Sequence, residues 1–177
     1  AYHHWTNTRN GTFSQGVVAE GNRRFTAGGS VGALSNNFGV AELSTELLFP
    51  VGGTSLTPGG TFIKNLAAQH QQRDGHRHGD LGYQVGARLG KAAAAKSWEA
   101  AYYYKYSEVD STPADFADSD FGDGGTNRQG HLFWGAYNPR EWLQVKLKTF
   151  VTRVINDSEP PGRDHINRFQ LDLSAKF

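Results

Sequence analysis

The chain has 177 residues, a net charge of +1, 37% hydrophobic residues and neither cysteine nor methionine. A disulfide scaffold, a cysteine-held zinc and a thiol nucleophile are therefore excluded, and there is no basic block to hold nucleic acid. No run approaches the roughly 18 apolar residues of a membrane helix, but a barrel strand meets lipid only at every second residue and needs no such run.

The first residues, Ala1-Tyr2-His3-His4-Trp5-Thr6-Asn7-Thr8, read as a strand already under way. No cap or turn precedes Tyr2, and no signal peptide is visible. Without methionine, Ala1 is not a translated start, so either a leader has been removed or the chain is part of a longer one. From Arg9 to about Phe38 the sequence is rich in Gly, Asn and Ser, with Asn10-Gly11, Gly28-Gly29 and Asn36-Asn37 as turn signals. It reads as a long loop or as an extended strand pair, Thr12–Val18 against Arg24–Val31.

Alternation then becomes the dominant signal, because successive side chains of a strand point to opposite faces. In Val40–Phe49, Ala41, Leu43, Thr45, Leu47 and Phe49 oppose Glu42, Ser44 and Glu46, with Leu48 out of phase. After the turn Pro50–Thr54, a strand returns from about Leu56 to Asn65. Pro58 and Gly59-Gly60 should make it irregular near its start or place a bulge there. Gln69–Asp80 is a polar loop with His70, His76 and His78. In Leu81–Lys91, Leu81, Tyr83, Val85, Ala87 and Leu89 face one way, and Gly82, Gln84, Gly86, Arg88 and Gly90 the other. The short turn Ala92–Lys96 leads to Trp98–Glu108, where Trp98, Ala100, Tyr102, Tyr104 and Tyr106 alternate with Glu99, Ala101, Tyr103, Lys105 and Ser107.

Val109 to about Gln129 is a second long loop, carrying Asp110, Asp115, Asp118, Asp120 and Asp123. His131–Tyr137 reads as a strand whose outer face the sequence does not decide. Asn138-Pro139-Arg140 should turn the chain into Trp142–Ile155, where Leu143, Val145, Leu147, Thr149 and Val151 oppose Gln144, Lys146, Lys148 and Thr152. A polar loop, Asn156–His165, precedes the last strand. There Phe169, Leu171, Leu173, Ala175 and Phe177 face away from Arg168, Gln170, Asp172, Ser174 and Lys176.

Eight strands are thus expected, joined by connections that alternate long and short. That order is the one shown by an up-and-down transmembrane barrel with short turns on one side and longer loops on the other. Rings collect beside the short turns (Phe49, Trp98, Tyr137, Trp142, Phe177) and near the long loops (Tyr83, Tyr106, Phe169). Two such belts are expected at the headgroup levels of a membrane. The fold expected is all-β: an antiparallel up-and-down transmembrane β-barrel with residues 1–177 as a single domain. The expected lipid-facing residues are Leu43, Leu47, Leu81, Tyr83, Val85, Leu89, Trp98, Tyr102, Tyr104, Leu143, Val145, Leu147, Phe169, Leu171, Leu173 and Phe177. The expected pore-lining residues are Glu42, Glu46, Gln84, Arg88, Glu99, Lys105, Lys146, Lys148, Asp172 and Lys176.

Charges on an inner face are tolerable where water reaches them and costly where it does not. The glycines of Leu81–Lys91 read as leaving space rather than filling it. Both point to a wet lumen, and so to more than eight strands, since an eight-stranded barrel is filled by its own side chains. The expectation is the C-terminal part of a larger barrel.

The segment Asp118-Ser119-Asp120-Phe121-Gly122-Asp123-Gly124-Gly125-Thr126-Asn127, with Gly130-His131 after it, resembles the putative porins of Gram-negative outer membranes. Ala1–Trp5, Ala41-Glu42-Leu43, Ser97-Trp98-Glu99 and the terminal strand are similar to that family in order and spacing. The terminal strand, closing on Phe177, also resembles the C-terminal signature that the barrel-assembly machinery of that membrane reads. The resemblance implies an outer-membrane channel for passive diffusion of small hydrophilic solutes or ions, with no catalytic residues and no cofactor. Its partners would be outer-membrane lipid and the assembly machinery. Porins are often homotrimers, but no interface is legible. The alternatives are a non-conducting barrel that sheathes a partner protein and a soluble ligand-binding barrel.

The acidic loop does not have EF-hand spacing and reads as a solvated loop rather than a calcium site. His70, His76 and His78 have no fixed partner spacing for zinc, copper or nickel. His3 and His4 point to opposite faces of a strand. No catalytic triad order or nucleotide-binding glycine loop is present.

Overall fold

The computed structural model describes residues 1–5, 21–27, 30–34, 36–68, 79–156 and 165–176. Almost all of them belong to one antiparallel sheet or to the connections at its two ends. The strands are β1 (Tyr2–Trp5), β2 (Arg24–Ala27), β3 (Ser30–Leu34), β4 (Phe38–Glu46), β5 (Phe49–Val51), β6 (Thr54–Asn65), β7 (Leu81–Gly90), β8 (Trp98–Ser107), β9 (Arg128–Arg140), β10 (Leu143–Val154) and β11 (His165–Ala175). A single 3-10 turn, Ala114–Phe116, interrupts the connection between β8 and β9.

Nine strands form the main sheet in the order β1-β4-β6-β7-β8-β9-β10-β11, with β5 also paired to β6. Each strand follows its predecessor in space as in sequence, which is a meander. Among the described residues β1 and β11 are the two ends of the path, so the sheet does not close on itself. This open sheet is consistent with an arc of a larger barrel.

β4 and β5 are one strand in two pieces. Glu46 pairs with Gly59 and Phe49 with Leu56, so the register is unchanged across Leu47-Leu48. Leu47 still donates its N–H to the Pro58 carbonyl at 3.0 Å. Pro58 has no N–H to return, and the ladder loses one rung. The irregularity expected on the proline's strand therefore appears as a gap in its partner, and β6 itself runs unbroken. Counting β4 and β5 once leaves the eight strand positions expected.

Two expectations on the connections are corrected. Asn138-Pro139-Arg140 is not a turn. β9 runs to Arg140, and Glu141-Trp142 makes the reversal. Tyr137 pairs with Val145 and Arg140 with Leu143, so the extra residue around Pro139 is taken up as a bulge, where a missing donor costs no rung. Second, Arg24–Ala27 pairs with Ser30–Leu34 as a small separate hairpin. Thr12–Val18, its expected partner, lies outside the described residues, as do His70, His76, His78 and Phe177.

The glycines of β7 do not leave empty space. A Cβ on Gly86 would stand 2.8 Å from Cδ1 of Tyr103, and one on Gly82 would stand 2.8 Å from Cγ1 of Ile63. At Gly82 the Ile63 side chain takes the space a Cβ would need, and at Gly86 the backbone of Tyr102 and Tyr103 takes it together with the Tyr103 ring.

Candidate functional site

Pairing register assigns every strand residue to one of two faces. On the first, Leu43, Phe62, Tyr83 and Tyr106 follow one another from strand to strand. Further along, Ala87, Tyr102, Phe133, Thr149 and Phe169 do the same. This apolar face is largely uncovered: Leu43 is 72% exposed, Leu171 64% and Phe169 74%. Leu47, Val85, Leu89, Trp98, Tyr102, Leu147 and Leu173 are exposed on it as well, while Leu81, Tyr83, Tyr104, Leu143 and Val145 are half-buried against their neighbours. Among the described strands its charged residues are Lys64, Arg140 and Arg153, all at strand ends, with no carboxylate. The face of β9 that the sequence left undecided is settled: His131, Phe133, Gly135 and Tyr137 share the register of Tyr104, Tyr102, Ala100 and Trp98.

The rings of this face form a continuous stack toward the long connections. Tyr83 and Tyr106 have centroids 5.2 Å apart, Tyr102 and Phe133 4.9 Å, and His131 lies against both Tyr102 and Tyr104. The Tyr102 hydroxyl is 2.9 Å from Nδ1 of His131, and the Tyr104 hydroxyl donates to Oε1 of Gln129 at 2.8 Å.

The second face carries Glu42, Glu46, Gln84, Arg88, Glu99, Lys105, Lys146, Lys148 and Asp172 in one continuous register, and Lys176 follows at the exposed end of the last strand. Several are paired across strands. Lys148 meets Asp172 at 3.1 Å, Lys146 meets Glu99 at 4.0 Å, and His3 meets Glu42 at 3.3 Å. Trp134, which the sequence did not mark, joins this group. Its Nε1 donates to Glu99 at 3.0 Å, Lys146 lies 4.9 Å over its ring, and Tyr103 stacks on it at 5.3 Å with planes 4° apart.

The loop from Glu108 to Asn127 lies across this polar face. At one side Phe116 stacks on Trp5 of β1, with centroids 5.8 Å apart. At the other, Arg168 of β11 donates to the Ser119 carbonyl at 3.0 Å and to Asp120 at 3.2 Å, and it also binds Asp123. In between, Lys105 lies 4.8 Å over the ring of Phe121, which is buried. The loop is thus no freely solvated acidic segment. Asp115, Asp118 and Asp123 are exposed, but Asp110, Ser111 and Thr126 are completely buried.

Buried amides hold it there. Asn22 donates to the carbonyls of Val109 (2.7 Å) and Thr112 (2.9 Å) and accepts from the Ala114 N–H (2.7 Å). Asn36 donates to Asp110 at 2.6 Å, and Asn65 donates to the Asp110 carbonyl at 3.0 Å. Asp123 and Asn127 take positive φ of 63° and 58°, within a run that includes Gly122, Gly124 and Gly125 at positive φ. The Gly-rich stretch is what lets the chain reverse sharply enough to enter β9.

Among the described residues, two adjoining cavities lie on the polar face. One, of about 480 Å³, lies between the loop and the sheet and is bounded by Trp5, Glu42, Gln84, Lys105, Phe116 and Asp118. The other, of about 420 Å³, is bounded by Glu46, Gln84, Arg88, Tyr103 and Trp134. Thr61 and Gln84 line both, so the two form one track along the strands. Among the described residues no group of three or more His, Cys, Asp or Glu is placed to hold a metal ion.

An open antiparallel meander, with one uncovered apolar face and one charged face crossed by a loop, is consistent with part of a larger β-barrel. A family model described as Putative porin matches residues 33–177. The chain belongs to that family. Neither the curated proteins nor the solved structures contained a match to the chain.

Proposed function

We propose that this chain forms an arc of an outer-membrane diffusion pore for small hydrophilic solutes or ions. The polar face would be its wall and the apolar face its contact with lipid. One observation carries the reading: every carboxylate of the paired strands lies on the polar face, while the opposite face is uncovered and apolar. A soluble barrel has the reverse arrangement, because it must bury its apolar face. The loop from Glu108 to Asn127 would narrow the lumen, and the charges along the track would set its preference. Passage would need no chemical step, and no residue is assigned a catalytic role.

The full-length protein, purified in detergent and added to a planar bilayer, should give discrete conductance steps. A silent bilayer would favour the second reading, a barrel that sheathes a partner protein. The loop lying across the polar face is the observation on that side, since it occupies space through which solute would pass.

A further inference from the structure

Three cations on the polar face are neutralised where they stand. Lys146 faces Glu99, Lys148 faces Asp172, and Arg168 holds Asp120 and Asp123. Arg88 and Lys105 differ. Neither forms an ion pair among the described residues, and Nε of Arg88 is buried without a hydrogen-bond partner. Each lines one of the two adjoining cavities, Arg88 the 420 Å³ one together with Glu46, and Lys105 the 480 Å³ one together with Glu42 and Asp118.

Their placement follows from register. Lys105 pairs with Gln84, and Arg88 lies four residues further along the same strand as Gln84. At about 3.3 Å per residue, the two positions are roughly 13 Å apart along the strand direction. Gln84, which lines both cavities, sits at the Lys105 level and can hand a polar group from one to the other. Glu46 bounds the Arg88 cavity from β4, two strand spacings away through Gly59 and Gly86. A guanidinium that forms no ion pair attracts an anion, and its planar fork matches a carboxylate.

We propose that the pore prefers small carboxylate-bearing solutes, with Arg88 and Lys105 as two successive carboxylate subsites on one track. The inference rests on reading the polar face as the pore wall and adds the class of solute to it. Glu46 opposes the preference at Arg88, and Glu42 and Asp118 oppose it at Lys105.

The test is the reversal potential of the full-length protein in a planar bilayer under a potassium acetate gradient. The wild type should pass acetate over potassium. Arg88→Gln should lower that ratio by roughly tenfold, the scale on which a focused charge concentrates a counter-ion. Lys105→Gln should lower it less, because Phe121 covers the ammonium, and Glu46→Gln should raise it. Arg88→Lys, which keeps the charge, should retain most of the preference, and Arg153→Gln on the other face should leave it unchanged. An acetate-to-potassium ratio indifferent to Arg88→Gln would overturn the proposal while leaving the pore reading intact. If the wild type conducts nothing, the pore reading fails. The subsite is then read by iodide quenching of Trp134 in a protein whose other tryptophans are replaced by Phe. Quenching that exceeds that by neutral acrylamide, and is lost in Arg88→Gln, supports an anion subsite; equal quenching in both proteins refutes it.

Discussion

The two faces of the sheet are built from the same strands and obey opposite rules. On one, Leu43, Leu147 and Leu171 stand uncovered, and rings from β7, β8 and β9 stack on one another. On the other, Lys148 seeks Asp172, Trp134 seeks Glu99, and a loop spans from Trp5 to Arg168. In water the first face would be the costly one, and in lipid the second would be. On the proposed reading each face has its own solvent, lipid for the first and water for the second.

Placing one residue type on either face breaks this comparison most severely. Leu147→Arg should cost about 2–4 kcal/mol of stability in urea unfolding from lipid vesicles, the penalty for a charge at mid-depth facing lipid. Ser174→Arg, on the polar face near Lys146 and Asp172, should cost far less. Equal costs would mean that the faces do not differ in solvent.

Within the polar face, the loop end should be sensitive to single hydrogen bonds. Asn22→Ala leaves the Thr112 carbonyl and the Ala114 N–H without their side-chain partner, and the Val109 carbonyl with only the Thr126 hydroxyl. It should cost about 1–3 kcal/mol and open the loop to protease nicking near residues 114–120. Gly86→Ala should cost at least as much, because its Cβ would press on the Tyr102 carbonyl oxygen and the Tyr103 backbone as well as on the Tyr103 ring, and so loosen that ring's stack on Trp134 in near-ultraviolet dichroism.

The half-exposed ion pairs should matter least to stability. Lys148→Gln should change unfolding by less than about 1 kcal/mol, since a pair in reach of water is worth little. It should still shift ion selectivity toward cations, because Asp172 would then stand unneutralised. A large loss of stability would show that this face is dry.

Strand order and the division of faces were legible because alternation is a local property, carried by residues two apart. What lay beyond reach depended on partners distant in the chain. His131–Tyr137 holds rings or aliphatics on both sides, and only the register against Tyr102 and Glu99 sorts Phe133 from Trp134. The loop looked solvated because its composition is acidic and glycine-rich. Its burial depends on Asn22, whose contacts lie 87 to 104 residues away in the sequence. Glycines suggested emptiness for the same reason: the atoms that fill their space belong to the adjacent strands.

The most direct test uses a background without other cysteines, a condition that this chain already meets. Single cysteines are introduced in turn at positions 143 to 148 of the full-length protein, in its native membrane, and exposed to a water-soluble maleimide. Positions 144, 146 and 148 should label and 143, 145 and 147 should stay protected. Labelling with the opposite phase, or without alternation, would contradict the assignment of water to the charged face and lipid to the apolar one.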